Sequence, residues 1–259
     1  MLETESDFGP AVLWAKGVGY RFADGVWACR GIDFSLHAGE IAVLAGPNGA
    51  GKSIFAKQLA GLLEPTEGSV FVHEKEMKQI KGSRATTVGY VFQDARLQTL
   101  GETVLEDALF GPSTLGLNQE EALERARAAL SECGLAGREG SLVHQLSGGE
   151  LRLLAIAGVL AMRPEAVILD EPFANLDYLG VKSILRVVRA MAGSGIALLV
   201  VTHEIEKILG LAALFSVMAE GRIVLTGKPV EVLAEGIESF GLRDPFKPLR
   251  DVQDLAWLD

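Results

Sequence analysis

The order of apolar and polar residues divides the chain into strands and helices. From 11 to 36, hydrophobic positions rich in Val, Trp, Tyr and Phe alternate loosely with polar ones, and Ala23-Asp24-Gly25 separates the two halves as a turn. A β-hairpin or meander is expected there. Residues 41–44 are all apolar and read as a buried strand, followed by a helix over 52–63 that Pro65 and Gly68 bring to an end. Residues 69–73 and 88–92 read as two further strands, and the polar stretch between them, 75–84, as a surface loop with room for a short helix. Between 94 and 163 the period becomes helical. Its clearest segment is 118–133, where Asn118 and Glu121 are spaced as a capping box and Leu123, Ala126, Leu130 and Cys133 share one face. Then come a strand (167–169), a helix (176–191), a strand (196–201) and a helix (204–211), an order that implies parallel strands joined by right-handed crossovers. Residues 215–218 and 222–225, split by Glu220-Gly221, predict a closing hairpin, and the tail from Gly236 shows no period.

Chemistry enters where the strand at 41–44 runs into GPNGAGKS. Gly46, Pro47, Asn48, Gly49, Ala50, Gly51, Lys52 and Ser53 have the spacing of a P-loop. Glycines are needed because a side chain would block the approach of backbone N–H groups to phosphate oxygens. Lys52 offers a mobile charge to the β and γ phosphates and Ser53 a hydroxyl to Mg²⁺, while the following helix points its positive N-terminal end at the same anion. The bland alternative is a Gly-rich turn that ends in Lys-Ser. A second constellation, VILDE at 167–171, puts Asp170 and Glu171 at the carboxyl end of a buried strand, where open α/β sheets form their ligand crevice. Asp170 there suits Mg²⁺, and Glu171 is placed to polarise an attacking water; alone, the pair would equally serve as a solvated turn. Ser147, Gly148 and Gly149 start an apolar helix over 151–162, a second helix end able to take phosphate, although Ser is also an ordinary N-cap.

Composition narrows the classes. The chain of 259 residues is 49% hydrophobic, enough for a real core, and its net charge of −10 argues against a general affinity for nucleic acid. Cys29 and Cys133 fit neither a CxxC nor a metal-ligand pattern and are expected as buried thiols in a reducing cytosol. The acidic start, MLETESDFGP, lacks the positive end and apolar run of a secretory signal. The longest apolar runs, 153–162 and 208–219, fall short of the roughly 20 residues that span a bilayer, so work at a membrane would need another chain.

Taken together, the motifs resemble the nucleotide-binding domains of ABC transporters. GPNGAGKS looks like Walker A, LSGGE (146–150) like the LSGGQ signature and VILDE like Walker B, in that family's order. Gln93 in YVFQD resembles the Q-loop glutamine, which also reaches the metal; Asp177 in NLD resembles the D-loop, and His203 in VVTHE the switch histidine. Phe22 in YRFADG stands where the family stacks an aromatic ring on adenine. The resemblance covers about 11–235. It implies an α/β P-loop NTPase of RecA-like type: a core with a parallel sheet, an N-terminal antiparallel β-subdomain and an inserted helical subdomain at about 94–163. Residues 1–235 would form this ATPase domain and 236–259 a tail without an assigned role.

A narrower likeness, in GVGYRFADG, DALFGPSTLGL and AIAGVLAMRPEAVILDEP, is to the ATPases of energy-coupling factor transporters. It implies uptake of a micronutrient such as cobalt, nickel or a vitamin, with ATP and Mg²⁺ at the site. It also implies a membrane coupling protein, a substrate-capturing membrane subunit and a second ATPase chain, identical or related, at the cytoplasmic face of the membrane. Arginines of the coupling protein would meet acidic groups near Asp94. Two departures stand out: Glu150 replaces the signature glutamine, adding charge near the phosphates, and Leu153 stands where an arginine is usual. Alternatives are another ABC transporter class, or a soluble ABC-type ATPase acting on DNA or ribosomes. Only about 95 residues part Lys52 from Ser147, too few for the long insertions of such proteins. A P-loop kinase would leave LSGGE, Gln93 and His203 unexplained.

Overall fold

Strands β1 (Ala11–Arg21) and β2 (Trp27–His37) pair antiparallel across a tight turn, in which the Phe22 N–H donates to Val26 O at 2.8 Å and the Gly25 N–H to Phe22 O at 2.9 Å. Register shifts, one between Ala15 and Val18, explain why the alternation there is only loose. The computed structural model describes residues 8–80 and 86–247; expectations placed on 1–7, on 81–84 of the polar loop and on 248–259 lie outside the described residues.

The all-apolar strand β3 (Ile41–Ala45) is buried throughout and leads into α1 (Lys52–Leu59). β4 (Glu67–Val72) and the two-residue β5 (Lys75–Glu76) return to the first sheet, whose order is β2-β1-β4-β5. β6 (Val88–Val91) starts the approach to three helices, α2 (Val104–Thr114), α3 (Gln119–Glu132) and α4 (Gly148–Leu160). After them come β7 (Ala166–Asp170), α5 (Tyr178–Gly193), β8 (Ala197–Val201), β9 (Leu214–Ala219), β10 (Arg222–Gly227) and α6 (Pro229–Ala234). The second sheet has the order β10-β9-β3-β8-β7-β6, with parallel pairing from β9 to β6 and one antiparallel edge pair, β9 with β10.

Continuous apolar runs in β3, β7 and β8 follow from burial on both faces. Val43, Leu169 and Val200 face one cluster built with α2 to α5, whereas Leu44, Ile168 and Val201 face another built with α1 and the antiparallel sheet. Phe34 of β2 meets Phe55 of α1 edge-on, with ring centroids 5.8 Å apart. Fully burying a Leu, Ile or Val contributes about 2 kcal/mol, so the strand ends project from a rigid platform.

The expected architecture is present: a parallel-rich core sheet, an antiparallel N-terminal sheet, and helices between β6 and β7. Three local expectations need correction. Residues 204–211 form two 3₁₀ turns, Ile205–Lys207 and Leu209–Leu211, rather than an α-helix. Burial of Ile205, Ile208 and Leu209 pulls this segment inward from both turns, and Gly210 weakens a continuous helix. α1 stops at Leu59, because Gly61 turns left-handed (φ 67°) and the Leu62 and Leu63 N–H groups fold back onto Lys57 O. Asn118 does cap α3, accepting from the Glu121 N–H at 2.9 Å, but only that half of the box is present. Complete boxes are formed by Thr103 with Glu106 at α2 and by Ser147 with Glu150 at α4. The described part of the tail without a period, 236–247, is nonetheless anchored: Ile237 and Leu242 are buried in the larger cluster, and Gly241 sits against Pro47.

Candidate active site

The loop after β3 is built so that only glycine fits at two of its positions. Gly46 has φ 155°, and a Cβ there would lie 2.0 Å from Met218 O; at Gly51, φ 98°, it would lie 2.3 Å from Ala28 O. Both contacts are with backbone, which cannot swing away. Around this loop the Lys52 side chain curls back, its Nζ donating to Gly46 O at 2.7 Å and Pro47 O at 3.0 Å. Burial pushes the Lys52 ammonium below the usual lysine range, and the charges of Glu171 and Asp170 pull the other way.

Asp170 ends β7 next to α1. Its Oδ1 accepts from Ser53 Oγ at 3.1 Å and its Oδ2 from the Tyr90 hydroxyl at 2.7 Å, so each carboxylate oxygen has one donor. Burial, then the charge and hydrogen bond of Asp170, push the Tyr90 phenol above its usual range.

One residue on, Glu171 adopts a left-handed backbone (φ 48°) and its N–H donates to Val201 O at 2.8 Å, carrying its side chain toward the end of β8. There Oε2 accepts from Thr202 Oγ1 at 3.1 Å and Oε1 from His203 Nδ1 at 3.0 Å. Asp170 and Glu171 are nearly inaccessible, at 4% and 7% exposure, while the His203 side chain is 52% exposed. The carboxyl ends of β3, β7 and β8 thus gather Lys52, Ser53, Asp170, Glu171 and His203 into one cluster of charge and hydrogen bonds.

The other expected residues surround this cluster without joining it. Gln93 is exposed just beyond β6. The root of its loop is tied down by Arg152, whose Nη1 donates to Phe92 O at 2.8 Å, and by Gln98, which accepts from the Phe92 N–H and donates to Tyr90 O, both at 3.2 Å. Leu153 itself is buried in the core, and the guanidinium sits one position earlier, on Arg152. Phe22, 43% exposed at the hairpin tip, stands edge-on to Tyr20 with centroids 5.4 Å apart. Asp177 caps α5, accepting from the Gly180 N–H at 2.7 Å.

At the start of α4, the Ser147 N–H and hydroxyl both donate to Glu150 Oε2, at 2.9 and 2.8 Å, and the Glu150 N–H reaches Ser147 Oγ at 3.3 Å. Arg138 Nη1 holds Glu150 Oε1 at 2.5 Å. The charge that Glu150 adds is therefore met locally. These bonds with Ser147 and the charge of Arg138 hold the Glu150 carboxyl below the usual range. Ser147 and Gly148 are exposed, and among the described residues no hydrogen bond joins 147–150 to 46–53.

Tyr90, Thr202, Arg138, Gln98 and Arg152 were missed from sequence. Tyr90 and Thr202 lie in or beside apolar strands, where only the pairing of β6, β7 and β8 shows what they touch.

Comparison with known proteins places the chain among relatives of one family. Residues 29–174 match the family described as ABC transporter. The chain is 39% identical over 239 residues to the energy-coupling factor transporter ATP-binding protein EcfA of Methanocaldococcus jannaschii, covering 90% of this chain and 86% of the relative. To the protein of the same name in Methanococcus maripaludis it is 36% identical over 240 residues, covering 91% and 86%. The structure of cbiO1 from Clostridium perfringens, part of the ABC transporter complex cbiONQ, superposes with a TM-score of 0.81 at 33% identity over 91% of this chain and 96% of that one. The dimeric post-hydrolysis cassette MJ0796, bound to ADP and Pi, gives 0.73 at 25% identity, covering 83% and 98%.

Proposed function

This chain belongs to the ABC transporter ATPase family, and we propose that it is the ATP-binding and ATP-hydrolysing subunit of an energy-coupling factor importer that takes up a micronutrient such as a metal ion or vitamin. The observation that carries the mechanism is the joint placement of Lys52, Ser53, Asp170, Glu171 and His203 at the ends of three adjacent strands. In this reading Lys52 leaves its loop carbonyls for the β and γ phosphates of ATP. The backbone of 46–51 cradles the same phosphates, and Phe22 supplies a ring for adenine. Glu171 accepts a proton from the attacking water, and His203 and Thr202 hold that carboxylate in place. Gln93 reaches in from its exposed loop when ATP is bound.

The donor set suits Mg²⁺. Ser53 hydroxyl and Asp170 carboxylate are hard oxygen donors 3.1 Å apart, and the described residues hold no group of three or more His, Cys, Asp or Glu that would make an all-protein cage. Mg²⁺ commonly shares its coordination in this way with phosphates and water. Ser53 and Asp170 would hold it, with Gln93 joining them when its loop moves in, and it would neutralise charge on the phosphates.

Peripheral attachment through partners at the cytoplasmic face is part of this reading and rests on the likeness to energy-coupling factor ATP-binding proteins and cbiO1; no helix of the described residues is long and apolar enough to cross a membrane. The segment after Gln93 suits a coupling protein: Leu97 and Leu100 are 77% and 63% exposed, a few residues from exposed Asp94. Cysteines placed at Asp94 or Leu97 are expected to cross-link to a membrane protein of the assembled importer. Cross-linking only from the opposite sheet edge, at β10, would overturn this reading. The remaining partners in the proposal are a substrate-capturing membrane subunit and a second ATPase chain, which would present its Ser147, Gly148, Gly149 and Asp177 to the ATP held by Lys52.

A further inference from the structure

A tyrosine on a buried strand needs a reason for its hydroxyl, since phenylalanine would fill the same space. Tyr90 stands opposite Ile168 in the β6/β7 ladder, so Asp170, two residues on, is its diagonal neighbour on the same face. The ring rests edge-to-face on Phe92 with centroids 4.9 Å apart, contacts that need no hydroxyl. Among the described residues that hydroxyl donates to Oδ2 of Asp170 alone, at 2.7 Å. The backbone beneath is strapped as well, because Gln98 grips both Tyr90 O and the Phe92 N–H.

Resting on the reading of Asp170 as a metal ligand, we propose that Tyr90 is a positioning residue that holds Asp170 Oδ2 so that Oδ1, beside Ser53, is the oxygen presented to the cation. The two carboxylate oxygens are distinguished by their donors. The Ser53 hydroxyl on Oδ1 is itself a metal donor and can turn to the cation, which frees that oxygen. The phenol on Oδ2 is fixed by a packed ring and a paired strand and keeps its hold. A carboxylate held at one oxygen by a fixed donor is disfavoured from rotating away, and outer-shell partners of this kind commonly set metal affinity.

Tyr90→Phe in the full chain tests this through binding rather than turnover. Affinity for a fluorescent ATP analogue is measured in EDTA and then along a Mg²⁺ titration, with Asp170→Asn in parallel. The expected result is unchanged affinity in EDTA and a half-saturating Mg²⁺ concentration raised about tenfold. An unchanged Mg²⁺ requirement in Tyr90→Phe while Asp170→Asn loses its own would overturn the proposal. No Mg²⁺ defect in Asp170→Asn would instead remove the metal-ligand reading beneath it. If Tyr90→Phe folds poorly, Asp170→Asn with and without Tyr90→Phe is compared, since the double variant removes the unpaired buried charge. Acting only through Asp170, the tyrosine change should then add nothing to the Mg²⁺ defect, and an additional loss would overturn the proposal equally.

Discussion

Glu171 and His203 meet at 3.0 Å between Oε1 and Nδ1, and because a carboxylate oxygen can only accept, that ring nitrogen carries the proton. Thr202 donates to the other oxygen, so both are oriented by neighbours that follow β8. A carboxylate has about four acceptor sites, so these bonds still leave room for a water proton.

Glu171→Gln preserves the shape of this group and replaces a proton acceptor with a donor. Turnover in single-turnover assays is expected to fall by about 10²- to 10⁴-fold, with affinity for ATP nearly intact. Wild-type turnover in the variant would remove Glu171 from the mechanism.

Gly46→Ala tests how the loop is held. With its Cβ 2.0 Å from Met218 O and a φ of 155°, the variant must shift backbone at the junction of β3 and β9. A loss of roughly 3 kcal/mol or more in denaturant unfolding is expected, together with loss of ATP binding. Near-native stability would show that the loop adapts.

Much of this site was legible because its chemistry is local in sequence. The P-loop, VILDE and LSGGE are contiguous stretches, and burial on both faces announced β3, β7 and β8 as apolar runs. What was hidden depends on non-local pairing. Tyr90 reads as one more apolar position until β6 lies beside β7. Glu150 reads as a charge aimed at phosphate until Arg138, twelve residues upstream, is seen to hold it. The helix expected at 204–211 failed because its apolar residues bury from two successive 3₁₀ turns, a pattern easily taken for one helical face.

Glu150 also gives the signature a pH dependence. Its folded-state pKa lies below the ordinary value of 4.5, chiefly through its bonds with Ser147 and with a further contribution from Arg138. The cap and ion pair therefore contribute stability fully present above the ordinary value, lost as pH falls through the folded-state value. Glu150→Gln keeps an acceptor for the cap and removes the titration, so it should lose less stability than wild type between neutral pH and about pH 3. Thermal midpoints across that range check this; parallel curves for the two proteins would refute it. Glu150→Ala keeps the Ser147 cap on its own N–H but loses the reciprocal bonds to Ser147 and the Arg138 pair, and should cost about 1 kcal/mol at neutral pH.

The final prediction is that one chain holds only half of each reaction centre. Lys52 and Ser147 both sit at helix starts suited to phosphate, yet Ser147 is exposed and its side chain bonds with Glu150 rather than with the P-loop cluster. A related cassette bound to ADP and Pi is a dimer, and in the proposed assembly ATP lies between Lys52 of one chain and Ser147 of the other. Binding would close the pair because γ-phosphate charge meets donors from both chains, and hydrolysis would release it. Two damaged proteins separate this from a self-contained site. Lys52→Ala loses its own cradle and keeps its signature, whereas Ser147→Arg keeps its cradle and blocks its neighbour. If both ATPase chains of the importer are copies of this one, neither variant alone should turn over in the assembled importer. Mixing them creates dimers with one intact site, and a partial return of ATP hydrolysis is the expected outcome. Full activity of Ser147→Arg on its own would show that each chain completes its site without a partner.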